Sequence, residues 1–220
     1  MNLANLKKEE IIKRHYWRCV HGHTGLEHPK CYEQAHGVRE KIGFLDIEAS
    51  NTEATFGLVL TYCIKEENGK IYYGKITPEE IKNGTYDRNL LKKCNKDMKR
   101  FDRLVYYWGG DNRFDIPFLR SRAVLYNLDF PLYKEIKGLD LYTYIKKKFR
   151  FHRNRLETAC EFFGIPAKAH PIKFDVWVKA LGGNQKALNY ILTHNKEDVI
   201  SLEKLYHKVL PYINIPNTSI

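Results

Sequence analysis

The residues of this 220-residue chain best suited to chemistry are four acids and a histidine: Asp46, Glu48, Asp115, His194 and Asp198. Asp46 and Glu48 lie two apart in GFLDIEAS. The period of two along a strand puts both carboxylates on one face. Two charges in a strand otherwise made of Ile42, Phe44, Leu45 and Ile47 are costly unless a cation such as a divalent metal compensates them. The plain alternative is an edge strand with a solvated acidic face. Asp115, in WGGDNRFDIPFLRSR, falls where a strand ends and a helix begins, the place where α/β sheets gather ligand-binding groups. Its simpler alternative is to cap that helix. His194 and Asp198, in THNKEDVISLEKLY, are one helical turn apart, so imidazole and carboxylate share a face. Taken alone, that pair is an ordinary surface contact.

A second group of reactive side chains sits near the N-terminus, where WRCVHGHTGLEHPKCYEQAH places Cys19, His21, His23, His28 and Cys31 within a short segment. Nitrogen and sulfur ligands at short spacing are what tetrahedral zinc selects. The set read from the spacing is Cys19, His23, His28 and Cys31, with His21 as the alternative to His23; without a metal, this is a loop that is merely rich in histidine. A third group is KKKFRFHRNR, in which Lys146, Lys147, Lys148, Arg150, Arg153 and Arg155 alternate with Phe149, Phe151 and His152. Cations for phosphates and ring faces for unstacked bases are the ingredients of a single-strand nucleic-acid surface. The competing reading is a solvated helix end whose cations face the helix C-terminus. Tyr106, Tyr107 and Trp108 read as strand packing, and Arg120 and Arg122 as an exposed helix face.

These groups need elements to hold them. Residues 1–40 are His-rich, start with a short helical pattern through Leu6, Ile11 and Ile12, and lack strand-like runs; they form an N-terminal appendage, and residues 41–220 form the main domain. Alternating or apolar runs predict strands over 42–47, 56–64 and 71–76, with Asn68-Gly69 as the tight turn between the last two. A helix follows over 87–101, its Leu90, Leu91, Cys94 and Met98 at helical spacing, then a strand over 104–108. Gly109-Gly110 ends that strand, and a helix over 115–126 carries Pro117 in its first turn. A short strand over 136–139 and helices over 142–149, 156–163 and 185–210 complete an α/β domain with a mixed five-stranded sheet.

Bulk composition agrees with this. The chain is 43% hydrophobic and 29% charged, which excludes a disordered protein. Its net charge of +11 favours a polyanionic partner such as nucleic acid. No stretch approaches the ~20 apolar residues of a membrane span, and charges occupy the N-terminus where a signal peptide would be apolar. The expectation is an intracellular, cytoplasmic protein. Five scattered cysteines fit reduced thiols or metal ligands better than a disulfide framework.

In order and context, the D-x-E on the first strand, the F-D-x-P-F-L that opens a helix after the fourth, and the N-x-x-D-V near the C-terminus resemble the three exonuclease motifs of the DEDD superfamily. The closest likeness is to stand-alone RNase H-like exonucleases related to the proofreading domains of family B polymerases. It covers roughly residues 42–210 and extends to GLDLYTYI and RLETACEFFGI between the second and third motifs. The resemblance implies an RNase H-like fold and a 3′–5′ exonuclease acting on single-stranded DNA or RNA with two Mg²⁺ or Mn²⁺ ions. Asp46 would bridge the ions, Glu48, Asp115 and Asp198 would complete their ligand shells, and His194 would orient or deprotonate the attacking water. His194 stands at the spacing where one branch of the superfamily has tyrosine. Gly110 stands where polymerases often have asparagine, so a substrate contact is either missing or supplied by Asp111 or Asn112. Two other readings of the same residues are a nucleic-acid-binding protein with an inactive nuclease core and a structure-selective endonuclease; the presence of all four acids speaks against the first.

Overall fold

The apolar run that begins at Ile42 is the middle of a five-stranded sheet. A computed structural model describes residues 6–37, 40–166, 170–216 and 218–220. The chain divides into two compact units, Met1–Lys41 and Ile42–Ile220. In the first, helices α1 (Lys8–Tyr16) and α2 (Pro29–Ala35) flank a loop with a short antiparallel bridge between Arg18 and Thr24.

The second unit runs β1 (Ile42–Ala49), β2 (Val59–Glu66), β3 (Ile71–Lys75), α3 (Pro78–Lys82), α4 (Arg88–Met98), β4 (Arg103–Tyr106) and α5 (Asp115–Leu125). It continues through β5 (Lys137–Asp140), α6 (Leu141–Lys148), α7 (Leu156–Phe162), α8 (Phe174–Leu181) and α9 (Gln185–Val209). The strand order is β3-β2-β1-β4-β5; β1 and β3 pair antiparallel to β2, whereas β4 pairs parallel to β1 and to β5. This is the mixed, helix-flanked RNase H-like sheet expected from the sequence.

A strand paired on both sides and covered on both faces carries a nearly continuous apolar run, and β1 does. Leu45 and Ile47 share one core with Tyr62, Ile64 and Leu104 of the sheet, Leu91 and Met98 of α4, and Ile116 and Leu119 of α5. Ile42 and Phe44 face the other core, with Cys63, Val105, Leu139, Ile145 of α6, Cys160 of α7, and Val199, Leu202 and Tyr206 of α9. Asp46 and Glu48 continue the alternation of Ile42 and Phe44, so they lie on the α9 face. Gly43 is required at the crossing: a Cβ there would meet Ile64 Cγ2 at 2.8 Å and the Phe101 ring at 2.9 Å.

Several local readings change. The second strand begins at Val59, because residues before it turn back through the Phe56 and Gly57 amides onto the Glu53 carbonyl and leave Phe56 exposed. β4 ends at Tyr106; Trp108 lies outside it with a left-handed φ of 63° and is half exposed, so it does not pack as a strand residue. Three helices escape the pattern reading: α2 in the first unit, α3 and α8. α3 is started by a capping box in which Thr77 and Glu80 exchange hydrogen bonds. α8 buries Ala180 in the core under the start of α9 despite its aromatic and β-branched sequence. Arg122 is not on an exposed face: it is buried and holds the fully buried Asp87 through two hydrogen bonds of 2.6 and 3.0 Å. The same carboxylate accepts from Val59 N–H and from the Tyr126 hydroxyl, which ties β2, α4 and α5 together. Among the described residues, no helix is long and apolar enough to cross a membrane.

Candidate active site

The site forms where β1 runs on past the end of its pairing with β4, still paired with β2, and α9 passes over it. Pairing with β4 stops at Phe44–Val105, two residues before Asp46, so the second half of β1 borders the space beyond the end of β4. α9 is fixed over this edge by Leu192, Val199 and Leu202, and the same helix turns His194, Asn195 and Asp198 toward the strand. His194 Nε2 lies 3.5 Å from Glu48 Oε1 and 3.2 Å from Asp198 Oδ2. One ligand atom from each of Glu48, His194 and Asp198 falls within 4.8 Å of the others, a spacing that suits a metal ion. Asp46 is held by Asn195, whose Nδ2 donates to Asp46 Oδ2 at 2.5 Å from a fully buried position.

The imidazole has a defined orientation. His194 Nδ1 is 2.5 Å from the His170 carbonyl, which can only accept, so Nδ1 carries a proton and Nε2 is the nitrogen that faces the carboxylates. His170 is held in turn by Glu197 of α9, through its ring at 2.5 Å and its amide at 3.3 Å. A ring nitrogen turned toward two carboxylates calls for a cation, either a proton or a metal, between them. The donor set therefore fits a divalent ion.

Asp115 reaches β1 from the opposite side. It is the first residue of α5 rather than its cap, and its Oδ1 accepts the Ile47 N–H at 3.0 Å, an amide beyond the reach of β4. Burial pushes its carboxyl up to about 7; hydrogen bonds from Ile47 and its own amide oppose this, and the charges of Glu48 and Asp140 add to it. Asp140 is a structural neighbour that sequence reasoning missed as part of the site. It caps α6 at the Tyr142 amide and accepts the Trp108 and Gly110 amides, which clamps the β4–α5 turn to the end of β5. Burial likewise raises its carboxyl, against these amides and Arg113, which stands 3.4 Å away. The glycine pair in this turn makes room for both acids: a Cβ on Gly109 would collide with Asp115 Oδ2, and one on Gly110 would sit 3.1 Å from Asp140 Oδ2.

The other candidate residues lie elsewhere. Cys19, His21, His28 and Cys31 come together in the first unit; His23 does not join them, and its ring packs against that of His28 with centroids 4.7 Å apart. Lys146, Lys147 and Lys148 occupy the last turn of α6, and they and Arg150, Arg153 and Arg155 are exposed. Phe149 and Phe151 instead stack on one another and pack against Phe163 at the edge of the core. Asn195, His170 and Asp140 were accessible only in part: Asn195 stands in the N-x-x-D motif, but a backbone carbonyl that orients a histidine leaves no trace in residue type.

A mixed sheet with acids on its central strand, at the entrance of α5 and on the last helix defines an RNase H-like domain. The chain belongs to the RNase_H superfamily, whose family model matches residues 43–210, and nucleases of this fold use divalent metals. It is similar to a DNA polymerase of Methanocaldococcus jannaschii, with 34% identity over 77 residues, 34% of this chain and 5% of that protein. In three dimensions it is similar to the family B DNA polymerase of the hyperthermophilic archaeon Pyrobaculum calidifontis, with a TM-score of 0.65, 18% identity, and coverage of 79% of this chain and 25% of the polymerase. The chain thus spans a small part of the polymerases it matches.

Proposed function

We propose that this protein is a 3′–5′ exonuclease that hydrolyses phosphodiester bonds of single-stranded DNA or RNA. The observation that carries the reading is the convergence of Glu48, His194 Nε2 and Asp198 beside Asp46, with Asp115 entering from the other side of β1. The direction of attack rests on the resemblance of the three motifs to the DEDD exonucleases. Asp46, Glu48, Asp115 and Asp198 would hold two Mg²⁺ or Mn²⁺ ions, hard cations suited to carboxylate oxygen. Bound there, such ions supply Lewis acidity at the phosphate and lower the pKa of a bound water. The chain's own work is positional. Asn195 sets the rotamer of Asp46, His170 sets the ring of His194, and Asp140 with the two glycines sets Asp115. With Nδ1–H committed to His170, Nε2 is the atom available to accept a proton from an attacking water.

The test is incubation with end-labelled single- and double-stranded DNA and RNA in Mg²⁺, Mn²⁺ or EDTA. Stepwise shortening from the 3′ end, lost in EDTA, is expected. Asp46→Ala and Asp198→Ala should abolish it while leaving the circular dichroism spectrum unchanged. His194→Ala should lower the rate by about 10²–10⁴, with His194→Tyr retaining more activity than Ala if orientation of the water is the residue's main role. Internal cuts at junctions would instead indicate a structure-selective endonuclease, and tight binding with no cleavage in either metal an inactive binding protein.

A further inference from the structure

The first unit has too little apolar material to explain its own fold. Among its described residues, only Cys19 and Tyr32 are buried hydrophobics; Arg14 and Thr24 are the buried polar ones. The packing around Tyr32 is largely polar, with His36 stacked at 3.9 Å, the Arg14 guanidinium over the ring at 4.5 Å and Trp17 edge-on at 5.4 Å. Chains near 40 residues rarely fold on such a core without a disulfide, a metal or a partner. Cys19 and Cys31 are both free thiols.

What the fold does instead is gather four donor atoms. The turn after Cys19 closes through the Gly22 amide onto the Cys19 carbonyl and the Cys19 amide onto the His23 carbonyl, with Gly22 at φ 81°. This places Cys19 and His21 on the inside of the turn. Thr24 and Glu27 then exchange hydrogen bonds of 2.8 and 3.1 Å and steer the chain into α2, so that His28, immediately before the helix, and Cys31, in its first turn, are three apart, with the Cys31 amide donating to the His28 carbonyl. Cys19 Sγ lies 3.7 Å from His21 Nδ1 and 3.6 Å from His28 Nδ1; Cys31 Sγ lies 3.8 and 3.6 Å from the same two atoms. A tetrahedron with Zn–S near 2.3 Å and Zn–N near 2.0–2.1 Å has sulfur–nitrogen edges of about 3.6 Å. All four such edges are therefore already near the length a zinc ion would impose.

We propose that Cys19, His21, His28 and Cys31 bind one structural zinc ion, both imidazoles through Nδ1, and that this ion holds the first unit folded in place of an apolar core. An N₂S₂ tetrahedron of borderline-soft donors selects zinc over the hard ions suited to the carboxylate site. His23 is outside the ligand set and supports the ring of His28. The four ligands leave no open position, which marks a structural rather than a catalytic site.

The experiment uses the full chain, purified without chelators. Elemental analysis should find about one zinc per chain, equally in wild type, His23→Ala and Asp46→Ala, and should find it lost in the Cys19→Ser/Cys31→Ser double variant and lowered in His21→Ala. Because the double variant's first unit can misfold for other reasons, the wild type is also stripped with a strong chelator and reloaded with zinc or cobalt. Stripping should open residues 6–37 to proteolysis while 42–210 stay protected, and zinc should reverse it. Cobalt should give the intense visible bands of a tetrahedral thiolate site in wild type and His23→Ala. Absence of zinc after reloading, loss of zinc in His23→Ala but not in His21→Ala, or a first unit equally protected with and without metal would each overturn the proposal. None of these readouts depends on nuclease activity, and zinc retained in an Asp46→Ala protein separates this site from the carboxylate site.

Discussion

Asp115 shows how much a single buried carboxylate can dictate. Its carboxyl is pushed up to about 7 chiefly by burial, with hydrogen bonds from Ile47 N–H and its own amide opposing the shift. An aspartate in the unfolded chain loses its proton near pH 4. Between about pH 4 and 7 the folded state therefore binds a proton that the unfolded state has released, and stability falls as pH rises through that window. In metal-free protein, the urea midpoint should drop relative to that of Asp115→Asn as pH goes from about 5 to about 7.5, since the amide keeps the Ile47 hydrogen bond without the charge. Added Mn²⁺ should restore wild-type stability at the upper pH and have little effect on the Asn variant. Midpoints that stay parallel across the range would mean that Asp115 ionises freely. A carboxyl perturbed in this way is a candidate for cation binding, because a bound cation, like a proton, relieves the cost of burying its charge.

At the level of the element, the β4–α5 turn decides the geometry of the site more than either element it joins. Trp108 takes up a left-handed conformation, an uncommon one for a bulky side chain, and Gly109 and Gly110 follow without side chains. Asp140 holds this turn by two amides. A methyl group at Gly109 has no room beside Asp115 Oδ2, so Gly109→Ala should move the carboxylate or open the turn. A displacement of about 1 Å at reacting groups costs on the order of 10²-fold in rate. The expected outcome is that loss of activity together with near-native helix content by circular dichroism; full activity would show that the turn can shift without disturbing Asp115. α9 has the complementary role. One helix carries His194 and Asp198 together with Asn195, which holds Asp46, and Glu197, which holds the His170 whose carbonyl orients His194, so the packing of α9 sets all four.

At the level of the whole molecule, an excess of 11 positive charges predicts binding to polyanions that weakens steeply with salt. The exposed cations Lys146, Lys147, Lys148, Arg150, Arg153 and Arg155 are the densest run of that charge in sequence. In Asp46→Ala protein, expected not to cleave, affinity for a single-stranded oligonucleotide should fall linearly on a log–log salt plot. Each phosphate contact contributes about −0.7 to that slope, so replacing all six cations by glutamine should make it shallower by up to about 4. An unchanged slope would remove the segment from the nucleic-acid path and leave it as the charged end of α6, whose last turn attracts cations without any ligand.

The sequence by itself determined the sheet, because periods of two and 3.6 are properties of each element alone: β1 with Asp46 and Glu48 on one face, and α9 with His194 and Asp198 one turn apart. It also placed Asp115 at the mouth of a helix, since Gly109-Gly110 and Pro117 mark that boundary locally. Tertiary structure alone decided what each side chain meets. Asn195 bonds Asp46 across 149 positions, Asp115 finds the Ile47 amide across 68, and Arg122 is drawn inward by Asp87 across 35. The choice of His21 over His23 turned on the backbone at Gly22, where a left-handed residue reverses the chain. Spacing sets the direction of a side chain only relative to its own element. Which groups share a site depends on how elements pack, and that is fixed by burial summed over both faces of the sheet rather than by any local run of residues.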